Sequence, residues 1–254
     1  MNPGRPVDVV LIHGWAMHPG MLAPLAGALG PGVRAHLPAL PGHGGRAGEL
    51  APDPAALARL LLAGAPERAV WCGWSLGGLI ALWVAAHCPG RVLALCQIAT
   101  SPCFVARPGR DAGIAPALLA DLRARVAADP AAGVARFLAL ASRGEADARG
   151  ALRRLRASHR AGPAPDPRAL AAGLELLAHA DLYPELAALR VPSLWLFGSG
   201  DAIVPARSAA MVAAAGEARV IEDAGHAPFL GRAGELGAIL RHWLEDQEVS
   251  TRGP

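Results

Sequence analysis

Residues 69–90 constrain the fold of this chain more than any other stretch, because they contain no Asp, Glu, Lys or Arg. A run of about 20 apolar residues is the length that a transmembrane helix needs, and Gly73 and Gly77 have the G-x-x-x-G spacing by which membrane helices pack. The same letters also contain GWSLG, a G-x-S-x-G turn that would hold Ser75 between a strand and a helix. The stretch therefore predicts either one membrane span or a buried strand, turn and helix.

Six short β-type runs are spread along the chain, and helical stretches separate them. They are VDVVLIHG (7–14), VRAHLPAL (33–40), RAVWCGW (68–74), VLALCQIA (92–99), SLWLFGSGD (193–201) and ARVIEDAGH (218–226). Strands that alternate with helices are joined by right-handed crossovers and form a mostly parallel sheet. The order therefore predicts an α/β fold with helices on both faces of the sheet.

This fold class decides between the two interpretations of residues 69–90. A membrane helix would carry several glycines in one span, and its flanking Arg68 and Arg91 give no inside–outside asymmetry. In a strand, turn and helix, Gly73 and Gly77 lie where a sharp turn needs residues without a Cβ. A helix that is covered on both faces lacks charges without any bilayer, so we favour the buried strand, turn and helix.

Residues 104–184 interrupt the α/β pattern. Strand signals vanish there, and several amphipathic helices are predicted, punctuated by prolines at positions 108, 116, 130 and 163. Ligands of parallel α/β sheets bind at the carboxyl ends of the strands, so a helical insertion at that edge would cover the site. The predicted organisation is a core of residues 1–103 and 185–254, with residues 104–184 inserted as a helical lid.

Composition narrows the classes of function. A chain of 254 residues that is 53% hydrophobic is long enough to bury a large core, and a net charge of +3 is too small to indicate nucleic-acid binding. The four cysteines lack C-x-x-C spacing, which argues against a zinc site or a redox pair. No basic segment followed by a long apolar run opens the sequence. We therefore expect a cytoplasmic protein that does not associate with membranes.

Ser75 needs two partners to act as a nucleophile. A serine hydroxyl is a weak nucleophile at neutral pH, so it requires a base, and the base requires an acid that orients it. When a G-x-S-x-G turn carries the serine, the partners follow in the order Ser, Asp or Glu, His. Asp201 ends one β-type run and His226 ends the last one, so they are the predicted acid and base. Glu222 and Asp223, which lie beside His226 in the sequence, are rival acids.

Acyl transfer also requires donors for the negative charge that develops on the substrate carbonyl oxygen. The backbone N–H of Leu76 follows the nucleophile at the start of a helix, where the helix dipole favours an anion. A second donor is expected from the loop after the first strand, in HGW (13–15), and we assign it to the Trp15 backbone N–H. The alternative for HGW is a turn that merely ends the strand.

These motifs resemble the α/β-hydrolases, and within them the family of pimeloyl-acyl carrier protein methyl ester esterases of biotin synthesis. HGW, G-x-S-x-G and GHAPF are marks of the superfamily, whereas SPCF, RFLAL and AGLELL are narrower and are similar to segments of the esterase family. The shared segments, in chain order, are LIHGW, LPGHG, WCGWSLGGL, ATSPCF, RFLAL, AGLELL, VPSLWLFGSGDAIVP and AGHAPF.

The resemblance implies a serine carboxylesterase with an α/β-hydrolase fold. Ser75, Asp201 and His226 would form the catalytic triad. Trp15 and Leu76 would frame the oxyanion hole and, with Ser75 and His226, contact the substrate. The residues implied to line the acyl chain, on the lid, are Phe137, Leu138, Ala139, Leu140 and Ala141. Members of the family hydrolyse the methyl ester at the far end of a pimeloyl chain carried by an acyl carrier protein. The resemblance implies no metal or organic cofactor, and we expect a monomer.

The sequence is strongly basic between positions 136 and 160. This segment contains seven arginines and two carboxylates, a local net charge of +5. Four of the arginines recur on one face of a predicted helix, namely Arg149, Arg153, Arg156 and Arg160. Such a stripe would be complementary to an acidic carrier protein, and it is also typical of a helix face that is simply exposed to solvent. By resemblance, Arg136, Arg149 and Arg153 match lid arginines that contact the carrier. Ala132 and Ala141 stand where the family has Arg and Gln.

Two other functions stay open at this point. Fold and triad do not select a substrate, so a general short-chain carboxylesterase or an acyltransferase of the same fold is one alternative. A catalytically silent ligand receptor that kept the pocket is another, although an intact triad argues against it. Activity on the carrier-linked ester would separate these functions.

Overall fold

The six predicted strands form one parallel sheet. In the computed structural model, which describes residues 6–108, 110 and 113–249, the strands are β1 (Val7–Ile12), β2 (Val33–His36), β3 (Ala69–Trp74), β4 (Val92–Ile98), β5 (Ser193–Gly198) and β6 (Glu217–Ile221). The outer ends of the predicted core, residues 1–5 and 250–254, lie outside the described residues, as do residues 109, 111 and 112 of the predicted lid.

Helices connect the strands and cover the sheet. They are α1 (Ala23–Ala28), α2 (Pro54–Leu62), α3 (Leu76–His87), α4 (Pro116–Ala128), α5 (Pro130–Ala141), α6 (Ala148–Arg160), α7 (Pro167–His179), α8 (Tyr183–Ala187), α9 (Ser208–Val212) and α10 (Phe229–Asp246). Short 3₁₀ turns occupy Pro19–Leu22 and Pro89–Arg91. The predicted α/β class, with a mostly parallel sheet, is confirmed.

The strand order places two loops side by side. The order in the sheet is β2-β1-β3-β4-β5-β6, with every neighbouring pair parallel. The chain leaves β1 toward one edge and, after β2, returns to the other side of β1 to form β3. Such a reversal opens a crevice at the carboxyl ends of the two strands, where ligands of α/β sheets bind. The loops after β1 and β3, which contain Trp15 and Ser75, flank that crevice.

Residues 69–90 form a strand, a turn and a helix, as the sequence analysis favoured. All six residues of β3 are buried, and nine residues of α3 are buried between the sheet and its neighbours. Burial on every side explains why the stretch carries no charge. No helix within the described part of the chain is long and apolar enough to cross a membrane.

Three of the predicted β-type runs extend by three or more residues beyond the carboxyl ends of the strands. The run 33–40 ends as a strand at His36, the run 193–201 at Gly198, and the run 218–226 at Ile221. The extra residues belong to loops at the carboxyl ends of the strands. Most residues of these loops are buried or partly buried, so their apolar residues continue the strand pattern, and the loops include Asp201 and His226.

Four consecutive helices, α4 to α7, fill most of the interval between β4 and β5. Prolines begin α4, α5 and α7, where the missing N–H is tolerated. The side chains of Asp129, Asp147 and Asp166 accept hydrogen bonds from the first turns of α5, α6 and α7. The predicted helical character of this segment is confirmed, and its division from the core as a lid stays a proposal.

Candidate active site

Ser75 occupies a strained turn between β3 and α3. Its φ of 55° lies in the left-handed region and its ψ is −122°, a conformation that costs a residue with a Cβ of order 1–3 kcal/mol. A Cβ on Gly77 would come within 2.4 Å of the Ile12 carbonyl oxygen, and one on Gly73 within 2.4 Å of Gly78 Cα. The glycines of the motif are therefore required, because α3 begins in direct contact with the backbones of β1 and β3.

Three side chains that are distant in the sequence form a chain of hydrogen bonds at this turn. Ser75 Oγ lies 2.9 Å from His226 Nε2, and His226 Nδ1 lies 2.8 Å from Asp201 Oδ2. A carboxylate only accepts, so Nδ1 donates to Asp201 and Nε2 accepts from the serine hydroxyl. The side chains of His226 and Asp201 are 0% exposed. The structure thus brings together the three residues that the sequence analysis assigned to one triad.

The loop after β5 fixes the orientation of Asp201. Its second carboxylate oxygen, Oδ1, accepts hydrogen bonds from the backbone N–H groups of Ile203 at 2.7 Å and Val204 at 3.0 Å. Hydrogen bonds from backbone amides stabilise an ionised carboxylate where water is excluded. Asp201 therefore presents its other oxygen to His226 in one defined geometry.

The rival acids Glu222 and Asp223 lie elsewhere. Both residues are exposed, whereas His226 is fully buried. The Asp223 backbone N–H is held by Ser199 Oγ at 2.9 Å, and the Glu222 carbonyl oxygen accepts from Arg232. Within the described residues, the carboxylate that reaches the His226 ring is that of Asp201. The loop after β6 carries the base, and the loop after the neighbouring strand β5 carries the acid.

The loop after β1 passes along the other side of Ser75. A Cβ added to Gly14 would lie 3.1 Å from Ser75 Cβ, so the two loops are in contact. Among the residues that the structure describes, neither the Trp15 nor the Leu76 backbone N–H donates to another protein group. Free N–H groups beside a nucleophile are what an oxyanion hole requires. The assignment of these two donors stays a prediction that this arrangement permits.

His13 holds this loop in place, a role that the sequence analysis missed. Its Nε2 accepts the Leu40 backbone N–H at 3.1 Å, so its Nδ1 donates to the Gly14 carbonyl oxygen at 2.9 Å. Burial, together with the nearby His43, lowers the pKa of His13 to about 3, and the imidazole stays neutral. Its position in HGW, directly after a strand, is the sequence signal for this role.

No group of three or more His, Cys, Asp or Glu side chains in residues 6–108, 110 and 113–249 is placed to hold a metal ion.

An apolar cavity of about 20 Å³ adjoins Ser75. Of the residues predicted to line the acyl chain, Phe137 and Leu140 face it, and so does Trp15. The sequence analysis missed the other lining side chains, which are Phe104, Ile114, Leu119, Leu122, Leu174, Leu177 and Ile203. The cavity has room for about one water molecule, so an acyl chain can enter only if the surrounding side chains move apart.

The remaining predicted substrate residues have other surroundings. Leu138 and Ala141 are buried and Ala139 is partly buried, and none of them lines the cavity at Ser75. The Ala141 carbonyl oxygen instead accepts the His226 backbone N–H at 3.2 Å. Phe137 packs edge-on against the His226 ring, with ring centroids 6.0 Å apart. Helix α5 therefore contacts the base directly, through its backbone and through one aromatic ring.

Trp15 links the crevice to the helices above it. Its indole Nε1 donates to the Leu170 carbonyl oxygen on α7 at 2.8 Å, and its ring packs edge-on against Phe137 at a centroid distance of 5.1 Å. A Cβ on Gly173 would come within 2.6 Å of the Trp15 ring. The side chain is therefore covered by α5 and α7, while the preceding residue, Gly14, lies beside Ser75.

The predicted carrier-contact arginines fall into two groups. Arg149 and Arg153 are exposed on α6, together with Arg156 and Arg160. Arg136 is partly buried on α5, and its Nε lies 3.5 Å from an oxygen of Asp121 on α4. The stripe on α6 thus faces solvent, whereas Arg136 lies beside Asp121, a carboxylate that Arg125 also binds at 2.9 Å.

Sequence comparison with known proteins agrees with the family resemblance of the motifs. A model of the alpha/beta hydrolase family matches residues 9–238. A pimeloyl-[acyl-carrier protein] methyl ester esterase of Stenotrophomonas maltophilia (strain R551-3) is 43% identical over 244 residues, which cover 95% of this chain and 94% of that protein. The enzyme of the same name from Xylella fastidiosa (strain M23) is 42% identical over 243 residues, covering 93% and 94%.

Solved structures share the fold at lower sequence identity. An esterase from Exiguobacterium antarcticum superposes with a TM-score of 0.83 at 20% identity, covering 95% of this chain and 93% of that one. An enol-lactonase from Burkholderia xenovorans LB400 gives a TM-score of 0.81 at 22% identity, covering 96% and 94%. At these identities the likeness shows the fold alone.

Proposed function

The chain belongs to the alpha/beta hydrolase family and, within it, to the pimeloyl-[acyl-carrier protein] methyl ester esterases, and on that premise we propose its reaction. It is a serine carboxylesterase that hydrolyses the methyl ester of pimeloyl-acyl carrier protein in biotin synthesis. The products are methanol and the carrier-bound pimeloyl chain with a free carboxylate. The residue roles below belong to the same proposal.

The observation that carries the proposal is the pair of hydrogen bonds that joins Ser75 to His226 and His226 to Asp201. Ser75 Oγ attacks the ester carbonyl carbon while His226 Nε2 takes its proton. The carboxylate of Asp201 holds the imidazole in the required tautomer and stabilises the imidazolium that forms. His226 then donates the proton to the methoxide oxygen, and methanol leaves the acyl-enzyme.

The second half of the reaction uses the same groups in reverse. His226 takes a proton from water, the hydroxide attacks the acyl carbon, and Ser75 Oγ leaves with that proton. In both halves the negative charge on the carbonyl oxygen would be met by the backbone N–H groups of Trp15 and Leu76. One such donor typically contributes about 3 kcal/mol to the stability of the transition state.

The surroundings of Ser75 support an apolar acyl substrate. The cavity beside the hydroxyl is walled by aliphatic and aromatic side chains, several of them on α4, α5 and α7. Ser75 is 1% exposed, so substrate entry requires these helices or their side chains to part. We therefore propose that residues 104–184 act as a lid over the crevice.

The exposed arginines of α6 support a carrier-bound substrate. Arg149 and Arg153 face solvent, and no carboxylate of the described residues lies within ion-pair distance of either. An acidic carrier protein would meet unpaired positive charge there, and such complementarity raises association rates more than it raises affinity. Arg136 would contribute less, because it is partly buried and lies beside the carboxylate of Asp121.

The first experiment replaces the nucleophile. Ser75→Ala should lower kcat for a short p-nitrophenyl ester by about 10⁶-fold while leaving circular dichroism unchanged. Labelling of the natural chain, and not of the variant, by a fluorophosphonate would exclude a silent receptor. Residual turnover near the natural rate in Ser75→Ala would refute the catalytic assignment.

The second experiment tests the substrate. We expect a higher kcat/KM for the pimeloyl-carrier methyl ester than for free short esters, and a fall in that preference as salt is added. Equal kcat/KM values for the two substrates would favour a general short-chain carboxylesterase. Transfer of the acyl group to an added alcohol in place of water would favour an acyltransferase.

A cytoplasmic location and a monomeric state complete the proposal. The location is supported by the carrier-linked substrate that the relatives' names describe. Size-exclusion chromatography with light scattering should give the mass of one 26.0 kDa chain. A mass twice that value would contradict the monomer.

A further inference from the structure

The loop between α5 and α6, residues 142–147, contacts both loops that carry the partners of Ser75. The Ala146 backbone N–H donates to the Asp223 carbonyl oxygen at 3.2 Å. Gly144 has a φ of +76°, and a Cβ there would come within 1.9 Å of the Gly200 carbonyl oxygen, one residue before Asp201. The backbone of this loop therefore packs directly against the ends of β5 and β6.

One side chain of the loop reaches the residue that precedes the base. Glu145 Oε1 accepts the Gly225 backbone N–H at 3.0 Å. Gly225 is buried, and a Cβ on it would come within 2.6 Å of the Arg143 carbonyl oxygen and 3.2 Å of Glu145 Cγ. The contact is thus close, and the buried N–H of Gly225 donates its hydrogen bond to a carboxylate.

The backbone of His226 itself is held on two further sides. Its N–H donates to the Ala141 carbonyl oxygen at 3.2 Å, and its carbonyl oxygen accepts Trp74 Nε1–H at 2.7 Å. Together with the Glu145 bond, these contacts fix the peptide groups on both sides of the imidazole. Groups that react must be held within a fraction of an ångström by such supporting contacts.

We propose that Glu145 is a positioning residue for His226. Its carboxylate holds the Gly225 N–H, and through it the backbone that aims the imidazole between Ser75 and Asp201. This inference rests on the proposed role of His226 as the base. Glu145 does not line the cavity at Ser75, so it acts on the rate of the chemical steps and leaves substrate binding unchanged.

The physical reason for an effect on rate is the cost of an unpaired buried donor. Without the carboxylate, the Gly225 N–H must find water or turn away, and either change moves the adjoining residue. A displacement of a catalytic group by about 1 Å can lower a rate by 10²-fold. A loss of about tenfold therefore corresponds to a shift of a few tenths of an ångström.

The experiment compares three variants with a short p-nitrophenyl ester. Glu145→Ala should lower kcat about tenfold at constant KM. Glu145→Gln keeps an acceptor oxygen in the same place, and its kcat should return to within about threefold of the natural value. Asp147→Ala is the matched control, since this carboxylate of the same loop accepts the Gly150 N–H of α6 at 2.8 Å and, within the described residues, has no hydrogen bond to the His226 loop. Its kcat should be unchanged.

Three outcomes would overturn the inference. They are an unchanged kcat in Glu145→Ala, an equal loss of kcat in Asp147→Ala, and a Glu145→Gln variant as slow as Glu145→Ala. Thermal melting of each variant checks that the chain is folded at the assay temperature. The rate of fluorophosphonate labelling gives a second readout. Labelling of Ser75 depends on the base but does not depend on product release, so in Glu145→Ala its rate should fall in parallel with kcat.

The test separates this inference from the proposed function. If Ser75→Ala retains turnover, the proposed function fails and the kinetics of Glu145 variants have no bearing on a triad. If Ser75→Ala is inactive and Glu145→Ala is as active as the natural chain, only the positioning role of Glu145 fails.

Discussion

The carboxyl edge of the sheet and the helices α4 to α7 build their parts of the site in different ways. At the sheet edge each functional side chain lies at the start of a helix or in a loop that follows a strand, and it is fixed by hydrogen bonds and by backbones in contact. The helices contribute apolar side chains toward Ser75 and place arginines in solvent. The difference teaches that the reaction type is determined by backbone geometry, whereas selectivity depends on side chains that can move or be exchanged.

The strongest test of the sheet edge replaces the acid. Asp201→Asn keeps the shape of the side chain but can no longer fix the imidazole tautomer, so kcat should fall by about 10⁴-fold. The matched control is Asp223→Asn, which changes an exposed carboxylate three residues from the base and should leave kcat within about twofold. Steady-state kinetics on a p-nitrophenyl ester measures both variants. A larger loss of kcat in Asp223→Asn than in Asp201→Asn would indicate that Asp223, and not Asp201, orients the imidazole.

A second test concerns the backbone contact at the turn. Gly77→Ala would force a Cβ to within 2.4 Å of the Ile12 carbonyl oxygen, and we expect a loss of about 3 kcal/mol in the free energy of unfolding. Gly234→Ala is the control, since a Cβ there meets nothing within 4 Å on α10. That change should stabilise the chain by about 0.5–1 kcal/mol. Urea denaturation of both variants checks the contrast, and a tolerated Gly77→Ala would mean that the backbones can separate.

The groups at the sheet edge could be predicted from the sequence because few local rules determine them. The G-x-S-x-G motif specifies a turn after a strand, and the chain order of Ser75, Asp201 and His226 follows the order of the strands. Each prediction needed only the end of a strand and a residue type. The strand ends were overestimated by several residues, but the error fell within loops at the same edge and did not alter which residues meet there.

The contacts of the helical region could not be predicted in this way. Which side of α7 faces Ser75 depends on how α4 and α7 pack, so Leu174 and Leu177 were missed as cavity residues. The pairing of Arg136 with Asp121 joins two helices, and the bond from Gly225 to Glu145 joins residues 80 apart in sequence. No local periodicity contains such information, because it arises when separate elements pack together.

A third test enlarges the cavity from the side of the helices. Leu174 lines both the cavity at Ser75 and an outer groove of about 580 Å³ between α4 and α7. Leu174→Ala should connect the two, and kcat/KM for a decanoyl ester relative to a butanoyl ester should rise about tenfold. Leu177→Ala is the control, because Leu177 lines the inner cavity and not the groove. An equal shift in both variants would show that added volume, and not a connection to the groove, changes the preference.

The smallest expected effect concerns the exposed arginines of α6. Replacing Arg149 and Arg153 together by Ala should lower kcat/KM for the carrier-linked ester about threefold to tenfold at low salt, because exposed charges act mainly on association and are screened. Activity on a free p-nitrophenyl ester should not change, since neither side chain lines the cavity. The control is Arg168→Ala, which removes an arginine whose side chain is 86% exposed at the start of α7.

The salt dependence distinguishes this mechanism from a general loss of stability. At an ionic strength of about 1 M the Debye length falls to about 3 Å, so the double variant and the natural chain should reach the same kcat/KM. A defect that persists at high salt would mean that the substitutions disturb α6 itself. A defect of equal size in Arg168→Ala would mean that any positive charge on these helices attracts the carrier, and the contrast between the α6 stripe and the rest of the helical surface would then be lost.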